Sequence, residues 1–191
     1  MVGDWEGAGV NYERSLQLAR ELQDEMGLLA TTGNLANAKW GAGDLDAATD
    51  SMRELVAMIR SSSVGTRRLL GFGLMNLAGL ILEKKDIQAS IEVAREGLPL
   101  VKREGSAWIF SDYGPERAVL EGKYAKAALL MGYADHAHTE NGGMRAGIHS
   151  RTRQRVLAEL RKALPAEEIE CLRAEGAKLS EDEAWRLALE D

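Results

Sequence analysis

The chain has 191 residues, 45% of them apolar, with three prolines, one cysteine and a formal charge of −6. The apolar fraction excludes a disordered chain. The negative charge excludes whole-surface attraction to nucleic acid or an anionic membrane, and the lone Cys171 excludes an internal disulfide or a cysteine-rich metal site.

Few prolines, two Phe and plentiful Ala, Leu, Glu and Arg favour helices over strands. In chain order, helices are predicted over residues 4–26, 28–42, 44–60, 66–84, 86–103, 106–121 and 123–138. Gly27 and Gly105 read as helix stops, and residues 61–65 (SSSVG) as a loop. The most apolar run, 69–82 (LLGFGLMNLAGLIL), falls short of the roughly 20 residues a bilayer span requires. Asn76 and three glycines interrupt it, so it reads as a helix buried on nearly all sides. Without a leader-like opening segment, and with one cysteine, the expected compartment is the reducing cytoplasm.

The phrase Asn-Leu-Ala occurs at Asn34 and again at Asn76, and each copy is followed ten residues on by an Asp-aliphatic pair. Aligned on Asp4, Asp44 and Asp86, the residues four, eight and eleven further on are Ala8, Tyr12, Ser15; Ala48, Met52, Leu55; and Ser90, Ala94, Gly97. A weaker fourth copy starts at Lys123. Those offsets share one helix face, and small residues there permit close helix approach. Each Asp is placed to cap the helix it precedes, and Gly3 and Gly43 stand where a preceding helix needs a left-handed terminator. The unit is helix, turn, capped helix, with a period of 40 and then 42 residues.

Helix pairs repeated in this way predict an all-α, tetratricopeptide-like α-solenoid of antiparallel pairs with a divergent helical cap. Leu35-Ala36 and Leu77-Ala78 are the close-packed pair of each first helix; Tyr113-Gly114-Pro115 departs from it, so the third first helix is expected to be shortened or kinked. Residues 1–140 are assigned to the repeats and 141–191 to the capping segment of the same domain, with helices at 148–163, 165–176 and 181–190. Pro165 suits a first helical turn and Ser180 with Glu183 a capping box. Because Asp4 heads the second helix of a pair, Trp5, Tyr12 and Leu16 are expected to lack a neighbour, either because the chain is part of a longer protein or because it dimerises.

Residues 127–142 (AALLMGYADHAHTENG), the basic helix after them, and 172–190 (LRAEGAKLSEDEAWRLALE) resemble the C-terminal end of large bacterial regulators. In that family, LuxR-type and winged-helix ATPase regulators, a tetratricopeptide-like tail follows DNA-binding and signal-transduction ATPase domains. Gly176, Leu179, Ser180, Glu183 and Ala184 match the family's closing segment. No phosphate-binding loop or DNA-reading helix is present in the chain, so the resemblance implies the sensor or interaction part alone.

Chemistry-bearing constellations are sparse. His136 and Glu140 share a helix face, but a metal needs three or four ligands, so they read as a polar helix end and no metal or other cofactor is expected. Residues 144–162 hold Arg145, Arg151, Arg153, Arg155, Arg161 and Lys162 against Glu159 alone. With no aromatic residue interleaved for base stacking, they read as a solvated or ion-paired face, with the acidic tail (Glu167, Glu168, Glu170, Glu175, Glu181, Asp182, Glu183) as an intramolecular or cross-subunit partner. Gly71-Phe72-Gly73 and Gly7-Ala8-Gly9 lack the context of a nucleotide loop, and Cys171 reads as a small buried hydrophobe. The expected function is a non-enzymatic interaction or sensor module, with no catalytic residues. Its partner is a protein or peptide, or a small effector, held in a groove of first-helix residues Asn34, Asn37, Trp40, Asn76 and Glu83. The alternatives are a stand-alone homodimeric scaffold and, last, a metal-dependent enzyme at His136 and Glu140; direct nucleic-acid or membrane binding is not expected.

Overall fold

A computed structural model describes residues 4–145 and 147–190; Gly3 lies outside them. Among the described residues the chain is all-α, its helices packed in successive pairs as in an α-solenoid. The chain forms two compact units, Met1–Glu104 and Gly105–Asp191.

The first unit holds α1 (Trp5–Glu21), α2 (Glu25–Ala42), α3 (Leu45–Ser61), α4 (Arg67–Glu83) and α5 (Ile87–Arg103). Asp4, Asp44 and Asp86 each accept a backbone N–H of the helix they precede, as expected of N-caps. Asp24 does the same for α2, accepting from the Gly27 N–H at 2.9 Å. This corrects the first helix boundary: α1 ends at Glu21, and Gly27 lies inside α2 rather than stopping a helix. The chain turns by one device at four places. A left-handed residue (Gln23, Gly43, Lys85, Gly122) precedes the capping position, and the next residue's N–H reaches back five positions to a carbonyl: Asp24 to Ala19, Asp44 to Lys39, Asp86 to Ile81, Lys123 to Ala118. Connections this short return the chain antiparallel. Only two of the four left-handed residues are glycine, and the turn at Gln23 carries no sequence signal of its own.

The duplicated phrase is a packing unit. Leu35 and Leu77 are each 6% exposed, and Ala36 and Ala78 are fully buried. Ser90, at an otherwise small-residue position, donates to the Ala78 carbonyl at 2.8 Å, tying α5 to α4. Full burial of side chains such as Met52, Leu74, Leu80, Leu82 and Ile91 is worth about 1.5–3 kcal/mol each.

The second unit opens with a 3₁₀ turn (Ala107–Phe110), then α6 (Tyr113–Leu120), α7 (Tyr124–Glu140), α8 (Gly147–Ala163), α9 (Ala166–Gly176) and α10 (Glu181–Leu189). Pro115 falls in the first turn of α6, where no intrahelical donor is needed, and that helix is eight residues long. α7 packs on α6, α8 and α9, while α10 packs on α6. Four of the five matched positions in the closing segment have a structural role. A side chain on Gly176 would run into the Leu129 carbonyl, Ser180 and Glu183 form a reciprocal capping box, and Ala184 is 2% exposed. Arg117, itself 2% exposed, donates to the Ala188 carbonyl at 2.7 Å and so satisfies the end of α10. Cys171 is exposed, which corrects its reading as a buried hydrophobe; α9 turns that side of its short amphipathic stretch outward, leaving Ile169 to fill the core.

Candidate functional site

In the first unit α2 and α4 place their Asn residues side by side. Asn34, Asn37 and Asn76 line one cavity of about 230 Å³, walled by Leu29, Leu55, Leu69 and Phe72 among others. Gly33 and Gly73 form part of its floor: a Cβ on Gly33 would stand 3.1 Å from Leu55, and one on Gly73 3.3 Å from Val56. Larger residues there would fill the depression. A neighbouring hollow of about 290 Å³ shares Leu29, Ala30 and Leu69 and adds Met26, so the polar cavity runs into an apolar one. The carboxamides of the three Asn residues have no hydrogen-bond partner among the described residues. Each can offer two donors and an acceptor to whatever enters.

The other two sequence-predicted groove residues are used differently. Trp40 is 4% exposed, and its indole Nε1 donates to the Glu83 carboxylate at 2.6 Å. They form a cross-link between equivalent ends of α2 and α4, with the Trp40 ring lying against Gly79. Neither lines the cavity that the Asn residues share. The Asn positions could be chosen from the repeat because neither packing nor capping calls for a carboxamide there. Leu69, Phe72 and the two glycines carried no such signal, since apolar and small residues are also what the core needs.

The second unit gathers charge instead. Asp135 on α7 accepts from Arg153 (2.7 and 2.9 Å) and Arg173 (2.8 Å) and pairs with Arg145 (2.8 Å). Arg145 also donates to the buried Asp112 at 2.8 Å. Burial pushes the Asp135 carboxyl up, but the hydrogen bonds from Arg153 and Arg173 and the charge of Arg145 outweigh it and hold the group below the usual carboxylate range. Arg155 pairs with Glu116. Arg145 and the basic helix that follows it are therefore ion-paired to Asp112, Glu116 and Asp135, while Glu170 of the acidic tail pairs with Arg173 of its own helix.

His138 is 5% exposed, with its ring edge-on to Trp108 at 5.2 Å and 3.7 Å from Asp112. Burial, then the Arg145 charge, lower its pKa against the opposing pull of Asp112; burial likewise lowers that of His149. His136 and Glu140 are exposed on α7, and no group of three or more His, Cys, Asp or Glu is placed to hold a metal among the described residues. No described helix is long and apolar enough to cross a membrane.

No protein-family model matches the chain, and no curated protein matches it. Among solved structures it is similar to BtubC (BKLC) from P. vanneervenii, with 16% identity and a TM-score of 0.60 over 95% of this chain and 77% of that one. That likeness is one of fold alone.

Proposed function

We propose that the chain is a non-catalytic interaction module that holds an extended segment of a partner protein against α2 and α4. The observation that carries this reading is the placement of Asn34, Asn37 and Asn76 around one apolar-walled cavity, with no partner for their carboxamides among the described residues. A carboxamide matches a peptide group donor for acceptor, so a row of them grips main chain without regard to sequence. The adjoining hollow at Met26, Ala30 and Leu69 supplies a place for one apolar side chain, which adds specificity. The resemblance of the closing segment supports placing such a module in a bacterial transcriptional regulator, where the repeats restrain or relay a signal.

Selection from a display library of random peptides tests the binding reading. Peptides enriched on the wild-type chain should bind the N34A/N37A/N76A triple variant at least tenfold more weakly, given about 0.5–1.5 kcal/mol for each hydrogen bond lost. Equal binding to both proteins, or no enrichment, would refute it. The genomic reading frame around the coding sequence tests the regulator assignment: an adjoining ATPase or DNA-binding region supports it, and a stand-alone gene counts against it.

A further inference from the structure

The repeat sets α2 and α4 in register. The 42-residue step from Asp44 to Asp86 also pairs Asn34 with Asn76, Ala30 with Phe72 and Met26 with Arg68. From the Asn pair toward the helix N-termini, the two helices therefore present carboxamides, then a methyl group and a ring, then a thioether and a guanidinium. Asn34, Asn76 and Phe72 line the polar cavity, and Met26, Ala30 and Leu69 the apolar hollow beside it. Arg68 adjoins Leu69, which walls both.

Arg68 is placed but not used. Its guanidinium carbon lies 5.8 Å from the centre of the Phe72 ring, a contact that consumes none of its five N–H donors. Arg67 and Arg68 are both exposed, and neither pairs with an acid among the described residues. Other exposed arginines of this unit do find acids: Arg53 meets Asp50 and Arg60 meets Glu96. The acid in the matching place on α2, Glu25, is already taken, accepting from the Ser63 N–H at 3.2 Å and the Ser63 hydroxyl at 3.1 Å. Neither the cavity nor the hollow has an acidic residue in its lining. The first turn of α4 holds no acid either, so the positive end of its dipole adds to the arginine charge.

We propose that the segment held against α2 and α4 carries an acidic side chain one or two residues from the apolar residue seated in the hollow, and that Arg68 selects it; this rests on the binding reading above. The spacing follows from helix and strand geometry. Hollow and guanidinium are about one helical turn apart, roughly 5.4 Å. Two residues of an extended segment cover about 6.6 Å and bring their side chains to the same side. The order along the segment is then main chain at the Asn residues, the apolar side chain, and the carboxylate. Phe72 holds the guanidinium plane in advance, so little freedom is lost when a carboxylate meets its fork. A basic residue at that point would be repelled, which is where the discrimination arises.

Selection of displayed random peptides tests the proposal, with the peptide C-termini fused to the carrier so that no chain-end carboxylate is offered. Peptides enriched on the wild type should share Asp or Glu one or two positions from a large apolar residue, and Arg68→Glu should enrich Lys or Arg at that point instead. A synthetic copy of an enriched peptide, blocked at both ends, should bind about fivefold to tenfold more weakly when its acid is replaced by the amide. Arg68→Gln should weaken the acidic peptide by the same factor, and the two changes together should cost no more than either alone. The difference should shrink at high salt. Peptides that need the Asn residues but show no acidic preference, or that bind Arg68→Gln as well as the wild type, overturn the proposal and leave the binding reading standing. Failure to enrich any peptide, or binding indifferent to both the Asn and the Arg68 changes, overturns both.

Discussion

Replacing Gly176 by alanine probes the closest contact in the second unit. A Cβ there would stand 2.7 Å from the carbonyl carbon of Leu129, and nearer still to its oxygen; a Cβ on Gly132 would meet Arg173 in the same way, also 2.7 Å from the carbonyl carbon. Carbon atoms pack best at about 3.5–4.0 Å, so α7 and α9 would have to part by about 1 Å. Both obstacles are main chain and cannot swing aside. The separation would loosen the cluster of Met131, Val156, Leu160 and Ile169 that the two helices help to close. Such overpacking costs about 1–3 kcal/mol, and a backbone obstacle places it at the upper end. Alanine's helix propensity returns about 1 kcal/mol, leaving a net loss of about 2 kcal/mol. For a unit of this size each kcal/mol is worth about 4–8 °C in Tm, so a calorimetric scan should show a fall of about 8–16 °C. Because one separation relieves both contacts, the G132A/G176A double variant should lose less than the sum of the singles. Gly9→Ala in α1 is the control: no heavy atom lies within 4 Å of its added Cβ, and it should gain about 0.5–1 kcal/mol. A Gly176→Ala protein melting with the wild type would refute the reasoning, because the helices would then not be in backbone contact.

His138 and His149 have folded pKa values below the ordinary 6.5. The unfolded chain therefore takes up protons first, and their contribution to stability is full above about pH 6.5 and is lost as pH falls through the lower folded values. Urea midpoints should drop between pH 7 and pH 5, and by less in His138→Asn. Asp135→Asn removes the acceptor shared by three arginines and should cost about 3 kcal/mol, the lower end for breaking a buried pair because the carboxylate keeps some solvent contact; an unchanged urea midpoint would contradict this. Trp40→Phe deletes the donor to Glu83 while keeping most of the ring, so chemical denaturation should report a loss of about 1–3 kcal/mol. Lys85 sits at φ +67°, and Lys85→Gly should raise the melting temperature slightly, since relief of about 1 kcal/mol of left-handed strain exceeds the entropy glycine adds to the unfolded chain.

The sequence by itself determined what depends on neighbours along the chain. The caps at Asp4, Asp44, Asp86 and Ser180, the helix faces and the repeat are local or periodic, and a carboxylate three residues before an N–H needs no tertiary partner. Where no local signal exists the boundary is not legible: Gln23 rather than glycine holds the left-handed position before α2, and Gly27, which resembles a helix stop, is the donor that Asp24 caps. Only the tertiary structure decided which partners meet across long separations. Trp40 and Glu83 are 43 residues apart, and Arg153 and Arg173 both reach Asp135 because the fold brings α8 and α9 against α7. Charge composition states that arginines will be neutralised; only geometry selects the carboxylate that two guanidinium groups can reach at hydrogen-bond distance. The same holds for Asn34 and Asn76. Periodicity placed them on corresponding turns of two helices, and packing alone opened a cavity between them.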